Sequence, residues 1–285
     1  MKVVLTGASG RLGAHVCRKL AEAGHEIKAV DKVYRADLPA RMEVADLLHR
    51  EFCYRLLEGA EALVHLANHP NAESGDPQRV FGENMAMNMN VFQAAADLKV
   101  PRVVFASSVQ VFSGPLAPGE VATIPPYLPL DGNAPPHPVN TYALSKALTE
   151  GMLAYFARRS SLRGVALRFP GIMHRLGANN TTWAHSTDPH RRNEAFAFLH
   201  VDDAAALVAA VLAADPPGFH TYFPSARGDI LGKSVPDLIR ELYPQVPLRK
   251  PIDEIEHLVD LSALEQDLHW SPQVPIHAVT PPPRK

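Results

Sequence analysis

The sequence predicts an α/β fold in which helices cover both faces of a doubly wound parallel sheet. Two observations carry that expectation. Short apolar strands alternate with helical segments through the first half of the chain. The first strand also runs straight into a glycine-rich turn that opens a helix.

In chain order, Lys2–Thr6 is an apolar run that ends at Gly7-Ala8-Ser9-Gly10-Arg11-Leu12-Gly13, and a helical pattern follows over Arg11–Ala23. Gly7 suits the tight turn out of the strand, Gly10 lets backbone N–H groups approach a pyrophosphate, and Gly13 lets the helix pack closely on the sheet. Uncompensated donors and the positive dipole end at that helix N-terminus favour an anion. A second strand, Glu26–Val30, ends in Asp31. An acidic residue about 20 positions beyond such glycines is placed to accept hydrogen bonds from an adenosine ribose. It would also repel a 2′-phosphate, which favours NAD, while Lys32 and Arg35 nearby leave NADP open. Helix Asp46–Leu57, strand Ala62–Leu66, helix Phe81–Leu98, strand Arg102–Ala106, helix Asn140–Arg159 and strand Val165–Phe169 continue the alternation. A doubly wound parallel sheet of this kind places ligands at the C-terminal strand ends.

Beyond about Gly171 the regularity weakens, with a loop-rich stretch over 174–194, a helix from near Val201 and a proline-bearing tail. We read 1–170 as the NAD-binding part that includes the chemistry, and 171–285 as a small C-terminal substrate-binding portion interleaved with it. The proline-rich segment 113–138 is long for a loop in a compact domain, so it is either a wall or lid over the substrate or a static connection. The final Pro281-Pro282-Pro283-Arg284-Lys285 reads as a disordered end.

Composition excludes several classes. A 285-residue chain with 46% hydrophobic residues and a formal net charge of −2 describes a soluble globular protein without a basic nucleic-acid footprint. No apolar run reaches membrane-spanning length, and the first residues read as a buried strand and not as a signal peptide. Cys17 and Cys53 lack metal or redox spacing and are expected to be reduced thiols of a cytoplasmic protein. Fourteen histidines are scattered without a ligand pattern, so no metal is expected.

The chemistry is expected where Ala106-Ser107-Ser108 ends a strand and Tyr142-Ala143-Leu144-Ser145-Lys146 opens a helix. Tyr142 and Lys146, four apart, share a helix face. A phenol near its ordinary pKa of about 10 is a poor base at neutral pH, and an adjacent ammonium favours the phenolate. A strand-end serine would orient a substrate hydroxyl against it. Proton transfer would then accompany hydride transfer to or from the cofactor. Substrate contacts are expected from Ser108, His69, Gln110, His174, Arg175, Asn179, Asn180 and Trp183, with His200 as a further candidate; amides beside an indole suit a sugar ring. His65 is expected to be a hydrogen-bonded structural histidine.

With these residues in hand, the chain resembles the NAD-dependent epimerase/dehydratase group of the extended short-chain dehydrogenase/reductases. The resemblance rests on TGASGRLG at 6–13, Asp31, Asp46-Leu47, HLAN at 65–68, FASSVQVF at 105–112 and YALSK at 142–146. LRFPGI at 167–172, FLHVDDAA at 198–205 and VDLSALEQDLHWSP at 259–272 extend it over nearly the whole chain. It implies that Ser108, Tyr142 and Lys146 are catalytic, and that Asn84 supports the lysine through a water, although Met87-Asn88 stands where many relatives have Gly-Thr. It implies cofactor contacts from Gly7, Ser9, Gly10, Arg11, Leu12, Gly13, Asp31, Asp46, Leu47, Leu66, Ala67, Asn68, Tyr142, Lys146, Phe169, Pro170 and Ile172. It implies a Rossmann-type fold and a homodimer built on the Tyr-Lys helix and the helix before it. Gly171 stands where many nucleotide-sugar members have Asn, and Phe112 where a tyrosine is common. These departures, and a shorter chain, make a sugar, a sugar acid or another hydroxy compound as plausible an acceptor as a nucleotide sugar; uronate dehydrogenases similarly lack that Asn. Three functions stay open at this point. They are an epimerase that returns its hydride, a net dehydrogenase, and a non-catalytic NAD(P)-sensing protein.

Overall fold

The computed structural model describes residues 1–112, 124–173, 192–227 and 233–274. Seven parallel strands form one sheet: β1 (Lys2–Thr6), β2 (Glu26–Asp31), β3 (Arg41–Val44), β4 (Ala62–His65), β5 (Arg102–Ser108), β6 (Arg163–Phe169) and β9 (Phe219–Tyr222). Their spatial order is β3-β2-β1-β4-β5-β6-β9. A separate parallel pair joins β7 (Gly171–Met173) to β8 (Phe198–His200). The chain reverses its direction of travel across the sheet between β1 and β4, where Thr6 stands opposite His65. A crevice opens at such a reversal because the flanking helices leave on opposite faces.

Alternation along each strand divides the core into two layers. On one face Val3 and Leu5 of β1 pack with Cys17 and Leu20 of α1 (Arg11–Glu22). Leu207 and Val208 of a helix over Val201–Ala214 join that layer. On the other, Val4 packs with Leu63, Phe92, Phe105, Leu153 and Phe156. That second layer is roofed by α2 (Arg50–Leu57), α3 (Pro77–Asp97) and α4 (Thr141–Arg159). The first layer runs unbroken from Val3 to Trp270, so the C-terminal elements share the core of the N-terminal sheet. These are α5 (Val201–Ala214), β9, α6 (Val235–Leu242) and α7 (Ser262–Leu268).

Several boundaries differ from the sequence expectation for identifiable reasons. The helix expected from Asp46 begins at Arg50, because the Asp46 carboxylate instead accepts from Leu48 N in a turn. The helix expected from Phe81 begins a full turn earlier, at Pro77, where Asp76 caps Gln78 N and Arg79 N. Strand β3 was not expected at all; it is a four-residue, half-exposed edge strand carrying two charges. From 124 onward the proline-rich connection is a pinned one. Leu128 N and Leu130 N donate to Pro247 O and Leu258 O, both leucines are fully buried, and Thr221 donates to Gly132 O. The lid-or-wall question for 113–123 lies outside the described residues.

Candidate active site

A cleft of about 790 Å³ lies along the C-terminal ends of β1, β2, β4, β5 and β6. At one end is the glycine turn. Gly7 sits at φ +73°, and a Cβ there would come within 2.7 Å of Ala67 N. A Cβ on Gly13 would lie 2.1 Å from Gly7 O, so Gly13 is required by the turn it packs on more than by the sheet. Gly10 precedes α1 with no side-chain cap and no acidic residue in the first turn, which leaves the helix's first N–H groups for a ligand. This uncapped end, walled by backbone that no side chain could share, fits a pyrophosphate.

Asp31 lines the cleft, and its carboxylate accepts from Ser9 N at 3.0 Å and Val33 N at 3.3 Å. Both nearby cations are already paired, Lys32 with Asp46 at 3.0 Å and Arg35 with Asp37 at 2.7 Å. A 2′-phosphate would therefore meet a carboxylate and would have to compete for each cation. The arrangement favours NAD over NADP.

At the other end stand the Ser108 hydroxyl, the Tyr142 phenol and the Lys146 amine, all buried and all lining the cleft. The strand pleat separates the two serines. Ser107 donates to Glu150 at 2.6 Å, within a buried ion pair between Glu150 and Arg168 at 2.8 Å, which leaves Ser108 as the strand-end hydroxyl. Lys146 Nζ donates to Asn68 Oδ1 and to Ala106 O, each at 2.8 Å, and lies 4.7 Å above the Phe105 ring and 5.7 Å from the Tyr142 ring. Burial pulls the lysine down to about 7 against the attraction of Glu150.

The groups around the phenol pull its proton affinity in both directions. Burial pushes Tyr142 up to about 12, facing Ser108 opposes this, and the carboxylate of Glu194 adds to the rise.

Most of the sequence-selected residues meet here. Gly7, Gly10, Arg11, Leu12, Gly13, Asp31, Leu47, Leu66, Ala67, Asn68, His69, Ser108, Gln110, Tyr142, Lys146, Phe169, Pro170 and Ile172 all line the cleft. Four do not. Ser9 donates its hydroxyl to Val33 O, and its N–H is taken by Asp31. The carboxylate of Asp46 is turned to Lys32 and to Leu48 N. His200 caps α5, accepting from Asp202 N. Asn84 reaches Ser145 Oγ at 3.1 Å and accepts from His69 N; its amide makes no hydrogen bond to Lys146. His174, Arg175, Asn179, Asn180 and Trp183 lie outside the described residues.

The structure adds Arg79, Glu83 and Glu194 to the lining. Arg79 and His69 both bind Glu83, at 2.8 Å each, and these two contacts hold the Glu83 carboxyl below its ordinary range. The four-residue spacing of Arg79 and Glu83 on one helix face was the available signal. Glu194, 9% exposed, precedes Ala195 and Phe196, both at positive φ (+50° and +52°). Nothing in the sequence marks two consecutive left-handed residues that are not glycine, and such strain gathers at functional sites. Among the described residues no group of three or more His, Cys, Asp or Glu could hold a metal, and no helix is long and apolar enough to cross a membrane.

Comparison with known proteins fits this geometry. UDP-glucose 4-epimerase of Lactobacillus helveticus is 23% identical over 199 residues, covering 67% of this chain and 57% of that protein. Uronate dehydrogenase of Pseudomonas syringae pv. tomato is 27% identical over 170 residues, covering 59% of this chain and 58% of that protein. The chain thus matches less than two thirds of either relative. The crystal structure of UDP-glucose 4-epimerase from Bifidobacterium longum in complex with NAD+ and UDP superposes with a TM-score of 0.73, covering 98% of this chain and 96% of that one at 17% identity, which shows a shared fold. The sequence profile of the NAD dependent epimerase/dehydratase family matches residues 3–222. NAD is accordingly the cofactor, and the chain belongs to the NAD dependent epimerase/dehydratase family.

Proposed function

We propose that the protein moves a hydride between NAD and a hydroxyl-bearing carbon of a sugar-type substrate. The observation that carries this is the meeting of Ser108, Tyr142 and Lys146 at one end of a cleft whose other end is a glycine cradle. The glycine turn and the first turn of α1 would hold the pyrophosphate, and Asp31 the adenosine ribose. When bound, NAD supplies the hydride acceptor. Ser108 orients the substrate hydroxyl, and Tyr142 takes its proton during oxidation and returns it during reduction. With its phenol near 12 before cofactor binds, Tyr142 rests as a proton donor at neutral pH. It serves as base only once positive charge has entered the cleft. Lys146 holds its ammonium beside the phenol. Gln110, His69 with Glu83, and Glu194 give the substrate end a hydrogen-bonding wall suited to a polyhydroxy compound.

Gly171, in the segment where many nucleotide-sugar members carry Asn, lines the cleft and offers no side-chain amide. That favours net dehydrogenation of a small sugar or sugar acid as the second reading, in line with the uronate dehydrogenase relative. Incubation with NAD and a panel of free sugars, uronates and UDP-sugars decides between them. Accumulating reduced cofactor marks a dehydrogenase, and a new epimer without net reduction marks an epimerase. Neither outcome with any substrate class removes the proposal and leaves a cofactor-sensing protein. We further place substrate contacts mainly in 171–285 and the chemistry in 1–170, and propose a cytoplasmic homodimer paired through α3 and α4.

A further inference from the structure

Beneath the cleft lies a buried set of polar side chains that the mechanism above does not use: Thr6, His65, Asn88 and Thr149, connected to the cleft through Asn68. Their donors and acceptors can be assigned in only one direction. The Thr149 hydroxyl donates to Ser145 O at 2.7 Å, one turn back on α4. Its oxygen must therefore accept the 2.7 Å contact from Asn88, which fixes Nδ2 of Asn88 on that side. Oδ1 of Asn88 then accepts from Asn68 Nδ2 at 2.8 Å and from His65 Nε2 at 2.8 Å, while Asn88 Nδ2 also donates to Asn68 Oδ1 at 3.4 Å, so the two amides pair head to tail. His65 carries its proton on Nε2, so Nδ1 accepts from Thr6 Oγ1 at 2.7 Å. Asn68 Nδ2 also donates to Ala67 O. With its NH2 so occupied, Asn68 can present only its carbonyl to Lys146 Nζ, at 2.8 Å.

We propose that Asn68 is the positioning residue for Lys146, its amide carbonyl aimed at the ammonium by the Asn88–His65 pair. The proposal rests on the reading that Lys146 takes part in catalysis. It assigns the direct contact to Asn68, whereas the resemblance implied support from Asn84 through a water; the direct partners of Asn84 are Ser145 and the His69 backbone. Asn88, standing where many relatives have threonine, is the member that sets the direction of the chain. A flipped Asn68 would bring NH2 against NH3⁺ and lose the contacts to Asn88 and Ala67 together. The two acceptors of Lys146, Asn68 Oδ1 and Ala106 O, also direct its remaining N–H.

The charged and titratable groups around the amine come from four places. Tyr142 and Glu150 lie on α4, neutral His65 on β4, Arg168 on β6 bound to Glu150, and Glu194 ahead of β8 beside Tyr142. Against that fixed surrounding, Asn68→Ala removes one acceptor and Asn68→Asp adds a negative charge at the same atom. The test is a pH titration of the Lys146 amine in the cofactor-free protein by Nζ-15N NMR, assigned with Lys146→Arg. The midpoint is expected to fall in Asn68→Ala and to rise in Asn68→Asp, by half a pH unit or more in each case. The near-isosteric Asn68→Asp keeps the test open should Asn68→Ala fail to fold. In the loaded enzyme, kcat of Asn68→Ala is expected to drop about tenfold or more with substrate KM changed less than threefold. The alkaline limb of its pH profile should move the same way as the NMR midpoint. Midpoints unmoved in both variants overturn the proposal. Midpoints that move while the kcat profile stays in place uphold the Asn68 contact and remove Lys146 from the mechanism instead.

Discussion

A tyrosine buried beside a carboxylate holds its proton, so the chemistry assigned to Tyr142 depends on what lies around it. Tyr142→Phe is expected to lower turnover by about 10²–10⁴-fold while NAD affinity stays within a few-fold, by isothermal titration. Full activity in that variant would exclude the phenol. Glu194 raises the phenol, so Glu194→Gln should move the acidic limb of the oxidation rate to lower pH. An unmoved limb would assign Glu194 to substrate alone. His65 bears on stability. Burial pulls it down to about 4 from an ordinary 6.5, so between those pH values the unfolded chain binds a proton that the folded one refuses. Its stabilising effect is intact above 6.5 and is lost as pH falls toward 4, by roughly 3 kcal/mol in all. Denaturant melts of native and His65→Gln protein across that window should show the difference as a shallower pH slope in the variant. Single residues were unevenly legible in the sequence. Gly7, Ser108, Tyr142 and Lys146 were readable because each has a geometric requirement at a fixed spacing. Asn68 was placed only as a cofactor contact, since a half-buried amide acts through partners on two helices that no local pattern reveals.

At the scale of elements, the turn from β1 into α1 tolerates no added carbon. The atom 2.1 Å from a Cβ on Gly13 is a backbone oxygen, which cannot swing aside as a side chain would. Gly13→Ala should therefore cost about 1–3 kcal/mol in urea unfolding and weaken NAD binding along with it. Gly82 and Gly151 lie inside α3 and α4 with nothing within 4 Å of an added Cβ. Alanine at either is expected to stabilise by about 0.4–1 kcal/mol, since only the freedom of the unfolded chain is reduced. A gain at Gly13 equal to that at Gly82 would show that helix propensity, and not the turn, governs both. The contrast also explains what could be read of the fold. Strands β1, β2, β4, β5 and β6 are buried and apolar, so their composition announces them, and Asn140 before Thr141 marks the start of α4. The edge strand β3 shows no such run because neither of its sides is buried. The early start of α3 was written in Asp76-Pro77, a cap and an N1 proline outside the apolar period that drew attention to Phe81.

Over the whole molecule, the two-layer core closes one face of the sheet with α1 and α5 and leaves the other to a single layer of helices. The outermost surface of that layer is unusually apolar. Leu144, Leu148 and Tyr155 recur along α4 at helical spacing, with Leu148 46% and Tyr155 45% exposed, and Met89 stands out from the adjoining α3. Isolated exposed hydrophobics need no explanation, but a stripe on two helices in mutual contact calls for cover. A second copy of the chain offers the same stripe, and two-fold pairing would bury both at once. Because α4 also carries Tyr142 and Lys146, such pairing would stiffen the helix that holds the chemistry. Leu148→Glu places like charges face to face across the proposed axis and lies well outside the cleft lining. Sedimentation velocity is expected to show the native protein at the mass of two chains and the variant at the mass of one, with NAD binding retained in both. A native protein that sediments as a single chain at micromolar concentration would remove the pairing and leave the stripe to another partner.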